Sequence, residues 1–255
     1  MRDANRLFDL TDKVALVTGG SRGMGREMVL AFAKAGADVV IASRKLASCE
    51  ELAELVRKET GRRALPVACN VSDWTQNEKL AETALAHFGR VDVLVNNAGM
   101  SPLYEHVADV TEALWDKVIG VNMKGPFRLT SVLGKRMVEQ GSGSIIFVSS
   151  NGSLHPTGGI IPYAGSKAAV NAMTVGFAHH FGPNVRVNCI IPGPFLTDIS
   201  KAWDIPAFEK QAKASIFLQR GGQAEEIVGA ALYFASDASS YTTGAHLVVA
   251  GGGVG

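Results

Sequence analysis

The chain has 255 residues, of which 47% are hydrophobic, and its 25 basic and 24 acidic side chains give a net charge of +1. This length and apolar content allow a large core, and α/β folds often reach about 250 residues without dividing. The charge balance gives no electrostatic reason to expect a nucleic acid or an anionic membrane as partner.

Three further features bear on location. The segment 1–9 mixes charges and lacks the apolar run of a signal peptide, and no uncharged apolar stretch is long enough to span a membrane. Cys49, Cys69 and Cys189 form neither a C-x-x-C pair nor an even disulfide set, so they are interpreted as buried, small apolar residues in a reducing compartment. The expected location is the cytoplasm.

Apolar strand segments alternate with amphipathic helix segments along the chain. The predicted strands are 13–18, 38–42, 64–68, 91–95, 144–148 and 185–191, and the predicted helices are 24–35, 46–60, 74–88, 122–139 and 163–181. The strands are apolar almost throughout, which is typical of a parallel sheet covered on both faces. No linker or charge block divides the chain. The sequence therefore predicts an α/β fold: one doubly wound, Rossmann-type domain over 1–255, with about seven parallel strands.

Residues 193–219 interrupt this alternation because they have no strand pattern. The segment contains Pro194, Trp203, Pro206 and Phe208, and it is long enough for a substrate loop or lid with short helices. In doubly wound sheets, ligands bind beyond the carboxyl ends of the strands. The residues that follow each strand are therefore the candidates for chemistry.

A glycine-rich loop follows the first strand and leads directly into a helix. It reads Thr18-Gly-Gly-Ser-Arg-Gly-Met-Gly25, and its glycines allow a tight turn and a close approach to a pyrophosphate at the helix N-terminus. The fourth strand ends in Asn96-Asn97-Ala98-Gly99, where small and polar residues leave room for a ligand. A purely structural turn is the alternative for the glycine loop, but it leaves that second feature unexplained. The two together favour a dinucleotide coenzyme.

Tyr163 and Lys167 are four residues apart in a predicted helix and so project from one face. A cation beside a phenol favours the phenolate and moves the pKa of the tyrosine from about 10 toward the working range of an acid or base. An ordinary amphipathic helix is the alternative, and Y-x-x-x-K alone does not exclude it.

The three motifs T-G-x-x-x-G-x-G, N-N-A-G and Y-x-x-x-K occur in the order and spacing of the short-chain dehydrogenase/reductase family, and the chain resembles that family from Asp12 to Gly253. The resemblance implies that Tyr163 is the general acid/base, that Lys167 binds the nicotinamide ribose and lowers the tyrosine pKa, and that a serine thirteen residues before the tyrosine holds the substrate oxygen. That spacing selects Ser150 over Ser149. The family resemblance also implies that Asn122 anchors a water in a proton relay, with helix N-capping as the structural alternative.

The resemblance extends to the coenzyme site. The segment Pro192-Gly193-Pro194-Phe195-Leu196-Thr197 is similar to the family's P-G-x-x-x-T, which surrounds the nicotinamide amide and a phosphate. Asn70 stands where the family often has an aspartate that accepts from the adenine amino group, and Ala250 replaces an acidic residue before the final glycines. The full set of expected coenzyme contacts is Gly19, Ser21, Arg22, Gly23, Met24, Ser43, Arg44, Asn70, Val71, Asn97, Ala98, Gly99, Tyr163, Lys167, Pro192, Gly193, Phe195 and Thr197.

The residues after the second strand predict NADP(H) as the preferred coenzyme, with NAD(H) as the alternative. An acidic residue there would bond the adenosine ribose hydroxyls, but the sequence has Ala42-Ser43-Arg44-Lys45. Asp38 begins that strand and so lies at the opposite end of the sheet. Arg44 and Arg22 are the right groups to bind a 2′-phosphate, whereas the alternative is that Arg44 and Lys45 form a solvated helix start.

The sequence therefore predicts an oxidoreductase that transfers a hydride between the nicotinamide C4 and a carbonyl or secondary-alcohol carbon. Reduction of 3-oxoacyl thioesters or other ketones is favoured. A sugar, polyol or secondary-alcohol dehydrogenase is the alternative, and a non-enzymatic dinucleotide-binding sensor is the alternative from another class. The family resemblance also implies a homo-oligomer, a tetramer, paired through the helices 122–139 and 163–181.

The remaining polar candidates do not indicate a metal. His155, His179 and His180 are not accompanied by ligands at metal-site spacing, and the adjacent pair points to different sides of a helix. Surface positions are expected for them, and no metal is assigned.

Overall fold

The computed structural model describes residues 6–197, 200 and 204–253. The strands are β1 (Val14–Thr18), β2 (Asp38–Ser43), β3 (Ala64–Ala68), β4 (Val93–Asn96), β5 (Gly143–Val148), β6 (Val185–Pro192), β7 (Phe195–Leu196), β8 (Gly222–Gln223) and β9 (His246–Val249). The α-helices are α1 (Gly23–Lys34), α2 (Leu46–Thr60), α3 (Trp74–Phe88), α4 (Glu112–Ile119), α5 (Gly125–Gln140), α6 (Ile161–Phe181), α7 (Ile205–Ser215) and α8 (Val228–Ala235).

Seven strands form one parallel sheet in the order β3-β2-β1-β4-β5-β6-β9. The predicted α/β, doubly wound fold is confirmed. The chain runs outward from β1 to β3, then crosses to β4 on the other side of β1. This reversal opens a crevice at the carboxyl ends of β1 and β4, where ligands bind in such sheets.

Successive residues of the strands supply two separate apolar cores, one on each face. Ala15 and Val17 belong to the core that α1, α2 and α8 cover, whereas Val14 and Leu16 belong to the core under α3, α5 and α6. This explains why the strands read as continuous apolar runs. The three cysteines are free and buried, as predicted.

Local signals end three of the α-helices close to their predicted residues. α2, α3 and α5 end at glycines in the left-handed region, with φ of +68° at Gly61, +79° at Gly89 and +83° at Gly141. The side chain of Asp73 caps α3 by accepting from the Gln76 amide at 2.9 Å. These residues fix element ends within a few positions of the predicted ones.

The middle helix differs from its prediction. It begins at Glu112, where Thr111 is the N-cap, and it continues through a π-helical turn, Gly120–Lys124, into α5. Asn122 lies inside that turn, so the N-capping interpretation of Asn122 is wrong. π-turns of this kind occur often at functional sites, since they redirect side chains that a regular helix would hold elsewhere.

The segment 193–219 contains regular structure that the sequence did not locate. Phe195–Leu196 pairs with Gly222–Gln223 as a two-stranded parallel ribbon, and α7 follows. Trp203 lies outside the described residues. Among the described residues, no helix is both long and apolar enough to cross a membrane.

Candidate active site

Hydrogen bonds from two side chains join the glycine loop to the end of β4 at the crevice. Thr18 Oγ1 accepts from the amides of Asn97 (3.1 Å) and Ala98 (3.2 Å), and Asn97 Nδ2 donates to the carbonyls of Thr18 (2.9 Å) and Gly19 (3.2 Å). Asn97 was predicted as a coenzyme contact, and its amide group holds the loop itself. Thr18 was not among the predicted site residues, although it precedes the first glycine of the motif.

Two glycines of the loop have no room for a side chain. Gly19 has a φ of +62°, and a Cβ there would lie 2.9 Å from Asn97 Nδ2. A Cβ on Gly25 would lie 2.2 Å from the Gly19 carbonyl oxygen. The backbone of the loop therefore comes close to the start of α1, whose first amides point into the crevice without intrahelical partners. This geometry fits a phosphate group.

The end of β2 meets the glycine loop directly. Ser21 Oγ donates to Ser43 Oγ at 3.0 Å, and Ser43 in turn lies 3.1 Å from the Cys49 sulfur. Arg22 and Arg44 are the next residues along the two segments, and both are exposed. The structure thus joins the glycine loop to the end of β2 at Ser21 and Ser43, next to the two arginines that the sequence proposed for the 2′-phosphate.

The other predicted coenzyme residues surround the same crevice. Thr197 lies over the loop, since a Cβ on Gly23 would be 3.4 Å from Thr197 Cβ. Gly193 has no room for a side chain, because a Cβ would lie 2.8 Å from Ala250. Asn70 is exposed, and its Oδ1 accepts from the Ser72 hydroxyl at 2.9 Å. Met24, Val71 and Phe195 contribute apolar packing, with Phe195 buried in the core rather than exposed to a ligand.

Tyr163 and Ser150 meet beside Gly152. The Ser150 hydroxyl lies close enough to the phenol of Tyr163 to lower its pKa, and a Cβ on Gly152 would lie 3.6 Å from Ser150 Oγ and 3.8 Å from Tyr163 Cε1. Ser149 points elsewhere, because its hydroxyl donates to the Lys167 carbonyl at 3.1 Å. The spacing that selected Ser150 over Ser149 therefore agrees with the geometry.

Lys167 is buried one helical turn from Tyr163. Its Nζ donates to the Val148 carbonyl at 2.7 Å and lies 5.9 Å from the centre of the Tyr163 ring. Burial lowers the pKa of Lys167 from 10.5 to about 8, because the ammonium loses its hydration. Gly99 at the end of β4 approaches the same group: a Cβ there would be 3.4 Å from Lys167 Nζ.

The pKa of Tyr163 differs from its prediction. Burial raises the pKa of the phenol, and the hydrogen bond from Ser150 lowers it by less. Lys167 does not contact the phenol, so desolvation outweighs the stabilisation that the sequence assigned to the cation. The shift in the pKa of Tyr163 is therefore opposite in direction to the one expected from the lysine.

Asn122 is fully buried and held by three hydrogen bonds. Its Oδ1 accepts from the Met100 amide at 2.9 Å, and its Nδ2 donates to the Met100 carbonyl at 2.9 Å and to Ser166 Oγ at 3.1 Å. These bonds connect the π-turn to the segment after β4 and to α6. The structure thus collects Asn122, Ser150, Tyr163 and Lys167 at one place.

Two polar residues behind this group were missed by the sequence reasoning. Asn171 Nδ2 donates to Ser153 Oγ at 2.8 Å, and Ser153 Oγ donates to the Ser150 carbonyl at 2.6 Å. Asn171 follows Lys167 by four residues, as Lys167 follows Tyr163. That repeat of polar residues on one helical face was the available signal.

A narrow apolar recess, with no room for a water molecule between its walls, adjoins Tyr163. Its walls are Pro102, Tyr104, Leu114, Val118, Ile160 and Pro162. Elsewhere in the described ranges, no group of three or more His, Cys, Asp or Glu side chains is arranged to hold a metal ion. His155, His179 and His180 are exposed.

Comparison with known proteins places this site in a family. A family sequence model described as enoyl-(acyl carrier protein) reductase matches residues 19–253. A dehydrogenase/reductase SDR family member 4 from Bos taurus is 37% identical over 95% of this chain and 88% of its own length. An NAD-dependent glycerol dehydrogenase from Listeria innocua is 34% identical, over 96% of this chain and 95% of its own.

A solved structure has the same fold over nearly the whole length. The NADPH-dependent 3-quinuclidinone reductase from Rhodotorula rubra superposes with a TM-score of 0.93 at 31% identity, covering 99% of this chain and 95% of that one. The family match, the curated relatives and this superposition agree with the three motifs and with the geometry around Tyr163. The chain belongs to the short-chain dehydrogenase/reductase family of oxidoreductases.

Proposed function

We propose that the protein reduces a ketone carbonyl to a secondary alcohol, with NADPH as the hydride donor. The observation that carries this proposal is the meeting of Ser150 and Tyr163 beside Gly152, next to the apolar residues that surround Tyr163. A group that keeps its proton at neutral pH is suited to donate it to a carbonyl oxygen. Ser150 then holds that oxygen in place, and the direction of reaction that fits best is reduction.

The crevice fits a nicotinamide dinucleotide, which supplies the hydride when bound. The amides at the start of α1 and the backbone of Gly19 and Gly23 would hold the pyrophosphate. Thr197 and Gly193 border the crevice on the side of β6, toward Tyr163. Lys167, buried beside Gly99, would bind the nicotinamide ribose, and its hydrogen bond to Val148 keeps the ammonium at that position.

Preference for NADPH over NADH rests on the meeting of Ser21 and Ser43 at 3.0 Å. Arg22 and Arg44 each follow one of these serines in the chain, and two guanidinium groups with a serine hydroxyl would suit a 2′-phosphate. One relative is named for NAD and another for NADPH, so similarity alone does not decide the coenzyme.

The recess supports a ketone with an apolar substituent. Its walls offer mainly carbon surfaces to a substrate lying against Tyr163, since the Tyr104 hydroxyl is already hydrogen-bonded to Gly158 and Ile161. A sugar or polyol would need polar partners for several hydroxyls, and each unpaired hydroxyl would weaken binding. We therefore favour 3-oxoacyl thioesters and other apolar ketones over polyols, and the described parts of 193–219 remain the candidate substrate loop.

We further propose a homotetramer in the cytoplasm. α5 and α6, which the family resemblance pairs between subunits, carry exposed apolar side chains such as Phe127 (42% exposed) and Val175 (52% exposed). Covering such residues is a common reason for closed, symmetric assembly. Light scattering at micromolar concentration should give four times 26.9 kDa, and a monomer mass would contradict the proposal.

Oxidation of NADPH and NADH, followed by absorbance against apolar ketones, acetoacetyl thioesters and keto-sugars, tests the proposal. We expect turnover of the first two classes and a higher kcat/KM with NADPH. Turnover of keto-sugars alone would favour the polyol alternative. Coenzyme binding without turnover of any substrate would favour a dinucleotide sensor.

A further inference from the structure

The side chain of Tyr104 joins two segments that are distant in sequence. Its hydroxyl donates to the Gly158 carbonyl at 2.7 Å and accepts from the Ile161 amide at 2.8 Å. Ile161 is the first residue of α6, the helix that carries Tyr163. The first amides of a helix lack intrahelical acceptors, so Tyr104 supplies one from the segment after β4. We call this pair of hydrogen bonds the Tyr104 clasp.

The segment that the clasp holds has little else to fix it. Gly158 and Gly159 are exposed, and a Cβ on either would meet nothing within 4 Å. Consecutive glycines also leave the backbone with wide conformational freedom. The position of this segment therefore depends on the hydrogen bond that Tyr104 donates to Gly158 and on the one that it accepts from Ile161.

Ile160, between the two clasped residues, forms a wall of the recess. Its Cδ1 packs so close to Gly152 that a Cβ there would be 2.8 Å away, and Gly152 borders both Ser150 and Tyr163. The ring of Tyr104 lines the same recess. The clasp thus fixes the distance between the reacting groups and the wall against which a substituent of the ketone would lie.

We propose that Tyr104 is a positioning residue that holds the Ile160 wall beside Tyr163 and so selects ketones by the size of their apolar substituent. This rests on the proposed ketone reductase activity and names the determinant of its substrate range. A bulky substituent gains its binding energy from a wall held in place, whereas a small ketone contacts Tyr163 and Ser150 without reaching that wall. Loss of the clasp should therefore raise KM selectively.

The test is the Tyr104→Phe variant, which keeps the ring and removes the hydroxyl, assayed with acetophenone and with 2-butanone at saturating NADPH. We expect the KM for acetophenone to rise about tenfold, with kcat within about twofold, and both constants for 2-butanone to stay unchanged. Tyr241→Phe is the matched control, since Tyr241 is fully exposed at 104%. Equal losses with both ketones, or no change with either, would overturn the proposal.

Amide hydrogen exchange separates this inference from the proposed function. In the protein without added coenzyme, Tyr104→Phe should accelerate exchange at Ile161 about tenfold, because that amide loses its acceptor. Tyr241→Phe should leave the exchange unchanged. A wild-type protein that reduces neither ketone overturns the proposed function, whereas unchanged exchange at Ile161 overturns the positioning role of Tyr104 whatever the activity.

Discussion

The two ends of the sheet differ in how their polar groups are paired. At the amino ends, Asp38 accepts from Arg62 (3.1 Å) and Arg63 (2.7 Å), and Asp92 accepts from Arg90 (2.5 Å). Both carboxylates are at least 95% buried, so their charges are balanced within the protein. At the carboxyl ends stand hydroxyls, amides, glycines and Lys167, and among the described residues no carboxylate forms an ion pair with that lysine.

We infer from this difference that the polar groups at the amino ends contribute to stability and those at the carboxyl ends to function. A cleft of ≈320 Å³ opens at the amino ends beside Asp38, Arg62 and Arg90, yet its charged groups already bind each other. At the carboxyl ends the described residues form no such cluster of paired charges, and Ser150, Tyr163 and the buried Lys167 lie there instead. Changes at the amino ends should therefore affect unfolding, and changes at the carboxyl ends should affect catalysis or coenzyme binding.

The largest effect is expected from Tyr163→Phe. Turnover should fall by at least about a thousandfold, because a general acid contributes up to about four orders of magnitude and phenylalanine has no proton to donate. Coenzyme affinity, measured by fluorescence titration, and the unfolding midpoint should change little, since the ring still fills its space. Tyr241→Phe serves as control. Residual kcat/KM within about tenfold of wild type would remove Tyr163 from the mechanism.

At the opposite end, Asp92→Ala should reduce the free energy of unfolding by about 3–5 kcal/mol. The substitution leaves Arg90 and the Val14 amide, which donates to Asp92 at 2.9 Å, without their acceptor. Urea denaturation measures the loss, with Asp116→Ala on the exposed face of α4 as control. The activity per folded molecule should stay near wild type. A stable but inactive variant would contradict the division between the two ends.

Lys167→Met tests the buried ammonium at the carboxyl ends, through the pH dependence of the free energy of unfolding. Burial lowers the pKa of Lys167 to about 8, so between pH 8 and 10.5 the unfolded chain holds a proton that the folded protein has lost. The stability of the wild type therefore rises over this range relative to the variant, by up to about 3 kcal/mol. Urea denaturation at pH 7, 8.5 and 10 measures the change, with the exposed Lys117→Met as control. A difference between wild type and variant that does not vary with pH would contradict the buried-ammonium interpretation.

The sequence alone predicted those parts of the site that short-range patterns specify. The glycine loop, the strand ends and the i, i+4 pair Tyr163 and Lys167 all carry short-range signals, and the sheet followed from apolar runs. The π-turn at Asn122 was not predicted, because a helix with one extra residue in a turn has nearly the apolar pattern of a regular helix. β9 was not located either, since its residues from His246 to Val249 are mostly exposed and give no buried-strand pattern.

The features that the sequence did not predict depend on contacts between segments that are far apart in the chain. In the Tyr104 clasp, the bonded residues are separated by 54 and by 57 positions in the sequence. Thr18 and Asn97, which are also hydrogen-bonded, are separated by 79 positions. Nothing in the neighbourhood of either residue in the sequence specifies its partner. The pKa of Tyr163 was predicted in the wrong direction for the same reason: it depends on burial and on where Lys167 points, which only the packed structure determines.

The smallest effect is expected at the edge of the carboxyl-end site, with Arg44→Ala. The hydroxyl oxygens of Ser21 and Ser43 lie 3.0 Å apart. The adjacent Arg44 is exposed, so its guanidinium can reach a 2′-phosphate without a cost of burial. A charge-assisted hydrogen bond contributes about 1.5–3 kcal/mol, so the Kd for NADPH should rise roughly ten- to a hundredfold. NADH lacks the 2′-phosphate, and its Kd should hardly change. Arg57→Ala, which removes the same charge from the last turn of α2, should alter neither constant. If Arg44→Ala weakens both coenzymes equally, Arg44 acts through the general field of the site rather than on the phosphate, and the proposed coenzyme preference fails with it.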